Sequence, residues 1–200
     1  MNYAEILSRR LKKAGRDFAK GQAVDKKEQL QAVLREIMQE GQDTGTFFPW
    51  TEAVRRLNME EMEAVEIAYL RRTGPYGPEN RQLMERLKVF LKERGRMGSG
   101  TVLLGIALDD PSRTPPDRCR YDVGIIIREG ERLPLDTRRV RGGRYAVFEI
   151  PHTEREVSRF WEDLERLTAG LPVDRASPVL ERYSAEKVAL HRCEFCIPLK

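Results

Sequence analysis

The sequence predicts an α+β fold: two tandem β-α-β-β repeats in a pseudo-twofold arrangement with a central cleft, preceded by a small helical unit. Three observations carry this. Apolar residues recur at spacings of three and four through the first sixty residues, the period changes to two at Val65, and one order of elements then occurs twice in roughly 135 residues. The expected division is a helical extension over 1–60 and a ligand-binding domain over 61–200.

In the extension, Tyr3, Ile6, Leu7, Leu11, Ala14 and Phe18 form one amphipathic stripe that ends at Gly21. Asp25 to Glu28 is a capping-box pattern, and Leu30, Val33, Leu34, Ile37 and Met38 form a second stripe. Thr51 is the expected cap of a short third helix through Ala53, Val54 and Leu57. In the domain, Val65, Ile67 and Tyr69 alternate with Ala68 and Leu70 as a strand, and the turn Thr73 to Pro78 delivers Pro78 to the first position of a helix. That helix carries Leu83, Met84, Leu87, Phe90 and Leu91 as far as Gly95, and strands at 102–108 and 121–127 follow. The second unit is a strand over 144–150, a capping box at Thr153 to Glu156, and a helix with Val157, Phe160, Trp161, Leu164 and Leu167. Strands over 179–183 and 190–197 close it.

Composition narrows the function classes. Of the 200 residues 40% are hydrophobic, enough for one core, and the longest apolar runs fall far short of the roughly 20 residues that a membrane span needs. No membrane partner is expected. Three cysteines and an N-terminus without an apolar leader segment point to a reduced, cytoplasmic protein. The net charge of +4 sits mostly in Arg9, Arg10, Lys12, Lys13, Arg16 and Lys20, which is little reason to expect a nucleic acid partner. Cys193 and Cys196, three apart on a strand, face opposite ways and do not make a metal site, and no phosphate loop, dinucleotide fingerprint or Ser-His-Asp order is present. No metal and no cofactor are expected. His152, just before the cap Thr153, reads as a local structural residue.

Glu181 is the sharpest candidate for chemistry. It shares a strand face with Val179 and Tyr183, an unfavourable place for a charge unless a cation or hydrogen-bond donor meets it. Superposing the repeats by their strand ends sets Gly105 against Glu181 and Ala107 against Tyr183. One half then offers small side chains and the other a carboxylate and a phenol, which suits a cleft for a bulky planar ligand. Tyr69, Phe148, Trp161 and Tyr183 are the aromatics expected near it, with core packing the competing reading for Phe148 and Trp161.

The segments Ala68 to Tyr76, Gly105 to Pro111, Arg120-Tyr121-Asp122, Gly143 to Phe148 and Pro178 to Tyr183, closing on Ile197-Pro198-Leu199, occur in the order of the GyrI-like family. About two thirds of the chain resembles that family of small-molecule-binding domains, an SHS2-type tandem repeat that also serves as the effector-binding domain of AraC-type and MerR-type multidrug regulators. The resemblance implies binding of amphipathic, cationic compounds, with the carboxylate of the Glu-x-Tyr motif as anchor. It also implies two alternatives: a cofactor-free hydrolase of cyclopropane-bearing toxins, in which Glu181 with Tyr69 or Tyr183 activates water, and a transcription regulator. Relatives often carry an aromatic where Ala107 stands, so a roomier cleft is expected on that side. DNA is not the favoured partner, because an AraC-type unit needs two helix-turn-helix elements in about a hundred residues. The two apolar stripes of the extension need cover, from the domain or from a second copy in a homodimer. A chain starting near Met59 is therefore expected to aggregate or to melt at lower temperature than the full chain, as read by light scattering and thermal unfolding.

Overall fold

The computed structural model of the chain describes residues 57–200. The helices expected within 1–56 lie outside the described residues. The elements are β1 (Leu57–Met62), β2 (Val65–Thr73), α1 (Pro78–Glu93), β3 (Val102–Ala107), β4 (Arg120–Ile127), β5 (Asp136–Val140), β6 (Gly143–Pro151), α2 (Glu154–Leu167), β7 (Leu180–Ser184), α3 (Ala185–Ala189) and β8 (Arg192–Pro198). All eight strands join one sheet in the order β1-β6-β8-β7-β3-β4-β2-β5, and every pairing is antiparallel.

That order forces the sheet to curl. β1 and β2 stand six places apart, about 29 Å across a flat sheet at about 4.8 Å per strand. Yet only Glu63 and Ala64 link them, and three Cα-to-Cα steps reach at most about 11 Å. β5 and β6, also far apart in the order, are joined only by Arg141 and Gly142. The two ends of the sheet must therefore come together, and the links meet where they cross. A Cβ on Gly142 would lie 2.5 Å from the Ala64 nitrogen and 2.7 Å from the Met62 carbonyl oxygen. The product is a curled antiparallel half-barrel.

The two faces are filled differently. Inside the curl one cluster of Ile67, Leu104, Ile106, Val140, Tyr145, Val147, Leu180 and Cys196, flanked by Met62 and Ile126, draws on all eight strands. Charged groups close it at two places. The fully buried Asp122 accepts from Arg71 Nε at 2.7 Å and Nη2 at 2.9 Å and meets Arg138 at 3.0 Å, while Arg182 donates to Glu194 at 2.7 Å and to Glu60 on β1 at 2.9 Å. On the outside, α1 packs Leu83, Met84, Leu87 and Leu91 over β2 and β4, and α2 packs Phe160 over β6 and β8. The turn between β2 and α1 is tied down by Tyr76, whose hydroxyl reaches the carbonyls of Asp109 and Arg120 and accepts from the Asp109 N–H.

The main elements of both units lie where the sequence periods put them, and Thr153 caps α2 as expected by accepting from the Glu156 N–H. Three elements differ. Leu57, expected on a helix, opens β1, so the sheet begins ahead of the boundary expected at 61. The highly charged Asp136 to Val140 is an edge strand. Leu190 and His191 do not belong to the last strand: Ser184 caps the short α3, and His191, at φ 54°, ends that turn before β8 begins at Arg192. Among the described residues no helix is long and apolar enough to cross a membrane.

The crossing of the two links gives a direct test of the seam. Gly142→Ala places a methyl against backbone on both sides, which no side-chain rotation can relieve. The expected cost is about 1 to 3 kcal/mol of stability, measured by urea unfolding, with an unchanged denaturant slope.

Candidate functional site

β7 and β3 run side by side in the middle of the sheet, with Gly105 directly opposite Glu181 and Leu103 opposite Tyr183. β4 lies on the other side of β3 and sets Tyr121 opposite Ala107. Because side chains alternate, Glu181, Tyr183, Gly105, Ala107 and Tyr121 all face outward, on the helix side. Tyr183 borders both outer clusters, so this outward patch lies at the junction between the core under α1 and the core under α2.

Glu181 is 7% exposed. The Tyr121 hydroxyl donates to its Oε2 at 2.8 Å, and the Tyr183 hydroxyl donates to the same oxygen at 2.7 Å. The Trp161 side chain also favours the charged carboxylate. Burial pushes the Glu181 carboxyl above its ordinary range, and the hydrogen bonds from Tyr183 and Tyr121, together with Trp161, pull it partly back. Burial, followed by the Glu181 charge, holds both phenols well above their ordinary pKa, so they remain donors at neutral pH. Among the described residues no Lys or Arg forms an ion pair with Glu181. A buried carboxylate whose charge is met only by neutral donors has its remaining electrostatic need unfilled.

The structure separates the residues that the sequence grouped. Glu181, Tyr183, Gly105 and Trp161 come together. Ala107 stands on the same face at the end of β3, beside Tyr121. Phe148 does not join them: it is fully buried beneath α2, edge-on to Phe160 at 5.6 Å, and is core. Tyr69 is a correction. It faces the inside of the curl, with the Arg71 guanidinium 5.2 Å from its ring centroid, so the sheet itself lies between it and Glu181. The expected asymmetry of the cleft wall also changes, because the space over Gly105 is filled by the Tyr121 hydroxyl.

Two residues of the patch were not read as such from the sequence. Tyr121 lay in the Arg120-Tyr121-Asp122 motif without a role. Its parity with Val123 and Ile125 marks the face it takes, but only the pairing of β3 with both β4 and β7 brings it to Glu181. His152 stands with its ring 5.1 Å from that of Tyr183, at the start of α2. Burial holds its pKa below the ordinary value, helped by Lys88 and Arg81 of α1. Cys193 faces outward near Glu181, with its thiol pushed up to about 12 by burial, and Cys196 faces inward.

The comparisons agree with this fold. The family model of the GyrI-like small molecule binding domain matches residues 57–200. The SPbeta prophage-derived protein YosT of Bacillus subtilis (strain 168), a candidate transcriptional regulator by name, is 36% identical over 149 residues, 72% of this chain and 99% of YosT. DNA gyrase inhibitor 2 of Dickeya dadantii (strain 3937) is 30% identical over 105 residues, covering 50% of this chain and 66% of that protein. Among solved structures, the C-terminal domain of EcmrR superposes with a TM-score of 0.53 at 8% identity, covering 72% of this chain and 96% of that domain, a likeness of fold. With a small-molecule-binding family matched over the whole half-barrel and a relative aligned along nearly its full length, the chain belongs to the GyrI-like small molecule binding domain family.

Proposed function

We propose that the domain binds amphipathic, cationic small molecules over β7 and β3, with Glu181 as the electrostatic anchor, and so senses or sequesters them. The observation that supports this reading is the buried carboxylate met by two phenols and an indole but by no cation among the described residues. A ligand cation supplies the missing charge and recovers part of the desolvation cost already incurred on folding. The aromatic faces of Tyr183, Tyr121 and Trp161 favour a planar, positively charged ligand. In this reading the units β2-α1-β3-β4 and β6-α2-β7-β8 are pseudo-twofold halves, with the site on the axis between β3 and β7. No cofactor takes part.

The same carboxylate and phenols would serve a hydrolase as base and hydrogen-bond donors, with Tyr121 or Tyr183 in the place first given to Tyr69. One substitution separates the two readings. Glu181→Gln keeps the shape and removes the charge. It is expected to weaken ethidium by about 1 to 3 kcal/mol while sparing the neutral phenanthridine, as measured by fluorescence titration. Equal binding of both dyes by the two proteins contradicts the anchor role, and turnover of a cyclopropane-bearing electrophile by the wild type, lost in the variant, makes it a hydrolase.

Acid should act on binding and stability in opposite directions. Binding needs the carboxylate, so ethidium affinity falls as pH drops through the raised Glu181 value. A carboxyl whose folded pKa lies above its unfolded one stabilises below the ordinary value of 4.5, and that contribution is lost as pH rises through the folded value. At pH 7 Glu181 is therefore a cost to stability. Glu181→Gln is expected to raise the melting temperature at pH 7, with the gain shrinking as pH approaches 4.5 in parallel thermal melts.

A further inference from the structure

We infer that the missing side chain at Gly105 is what admits the Tyr121 hydroxyl to Glu181, and that Tyr121, so seated, is a positioning residue that holds the carboxylate for its ligand. The second half of this rests on the ligand reading of Glu181, while the first half stands on packing alone.

Gly105 lies in the middle of β3, paired on one side with Val123 and on the other with Glu181. A glycine there weakens a strand, and its backbone is not in the positive-φ region that would call for one. Space is the remaining reason. A Cβ at this position would lie 2.2 Å from the Tyr121 hydroxyl oxygen, 2.9 Å from Glu181 Oε2 and 3.1 Å from Tyr121 Cζ. Neither neighbour is free to retreat. The Tyr121 ring is 4% exposed and packs edge-on against Tyr76 at 6.1 Å, and Tyr76 is itself held by its three hydrogen bonds to Asp109 and Arg120. Glu181 Oε2 is fixed from the far side by Tyr183. An alanine therefore has to displace the Tyr121 hydroxyl.

Both phenols converge on one oxygen, which sets the rotation of the carboxylate and leaves Oε1 untouched by either. A hydrogen bond donated to a carboxylate favours its charged form. Withdrawing Tyr121 leaves Tyr183 to do this with Trp161, in a site where burial already opposes the charge. The small residue that sequence reasoning took for ligand space is instead a notch that completes the anchor.

The test compares the wild type with Gly105→Ala, Tyr121→Phe and the double variant. Gly105→Ala is expected to lower the melting temperature sharply. Adding Tyr121→Phe, which removes the atom at 2.2 Å and leaves Glu181 Oε2 at 2.9 Å and Cζ at 3.1 Å, is expected to restore part of that loss. A double variant as unstable as the two single losses combined, or more so, overturns the notch. Tyr121→Phe alone keeps the ring and the packing, so it isolates the hydroxyl. Titration of the Glu181 side-chain carboxyl carbon by NMR should then move to higher pH than in the wild type, and ethidium at pH 7 should bind about 2- to 10-fold more weakly. An unmoved titration overturns the positioning role, whatever happens to the dye. If the melts and the titration follow expectation while Glu181→Gln leaves ethidium binding unchanged, the notch stands and the ligand reading falls.

Discussion

Two links of two residues each cross the seam of an eight-stranded sheet, and the rest of the molecule is arranged around that shortness. Because Glu63-Ala64 and Arg141-Gly142 cannot span a flat sheet, β1 must pair with β6 and β5 with β2 around a curl whose ends touch at Gly142. The curl divides the side chains into two populations. Those inside share one core with contributions from every strand, and those outside fall into two cores, one under each helix. Each strand's parity then has a consequence that no local rule could supply.

The site sits where the two outer cores meet. β7 and β3 lie at the middle of the strand order, furthest from the seam, with α1 over β2 and β4 on one side and α2 over β6 and β8 on the other. Opposite parities on β7 divide two kinds of charge. Arg182, turned inward, is held by Glu194 and by Glu60 of β1. Glu181, turned outward, accepts from the neutral donors Tyr183 and Tyr121. The inward charge is paired and belongs to the fold, whereas the outward charge lacks a cation among the described residues, and the proposed binding role rests on that difference. A protein that keeps such a carboxylate gives up some stability for it, as binding sites commonly do.

Local chemistry made much of this legible. Pro78 and the Leu83, Met84, Leu87, Leu91 stripe place α1, Thr153 caps α2, and the short apolar runs Val102 to Ala107 and Val123 to Ile127 place β3 and β4. Period two also put Glu181 and Tyr183 on one face, and a spacing of three put Cys193 and Cys196 on different ones. β1 and β5 were not legible. Leu57 to Met62 carries two adjacent glutamates and Asp136 to Val140 two adjacent arginines, and such residues are tolerated because each strand is an edge, a status that exists only once the sheet has formed.

The sequence by itself determined which residues share a face of their own strand, because side-chain direction along a strand depends only on neighbouring backbone. It could not determine which face of one strand is continuous with which face of another, since that depends on register and order across the sheet. Tyr69 and Glu181 look alike as outward-facing candidates until pairing through β4 and β3 sets them on opposite sides. Tyr121 looks like plain core until the same pairings carry its hydroxyl across Gly105 to a carboxylate sixty residues away. Gly105 reads as open space in the sequence, and only the packed sheet shows that the space is occupied.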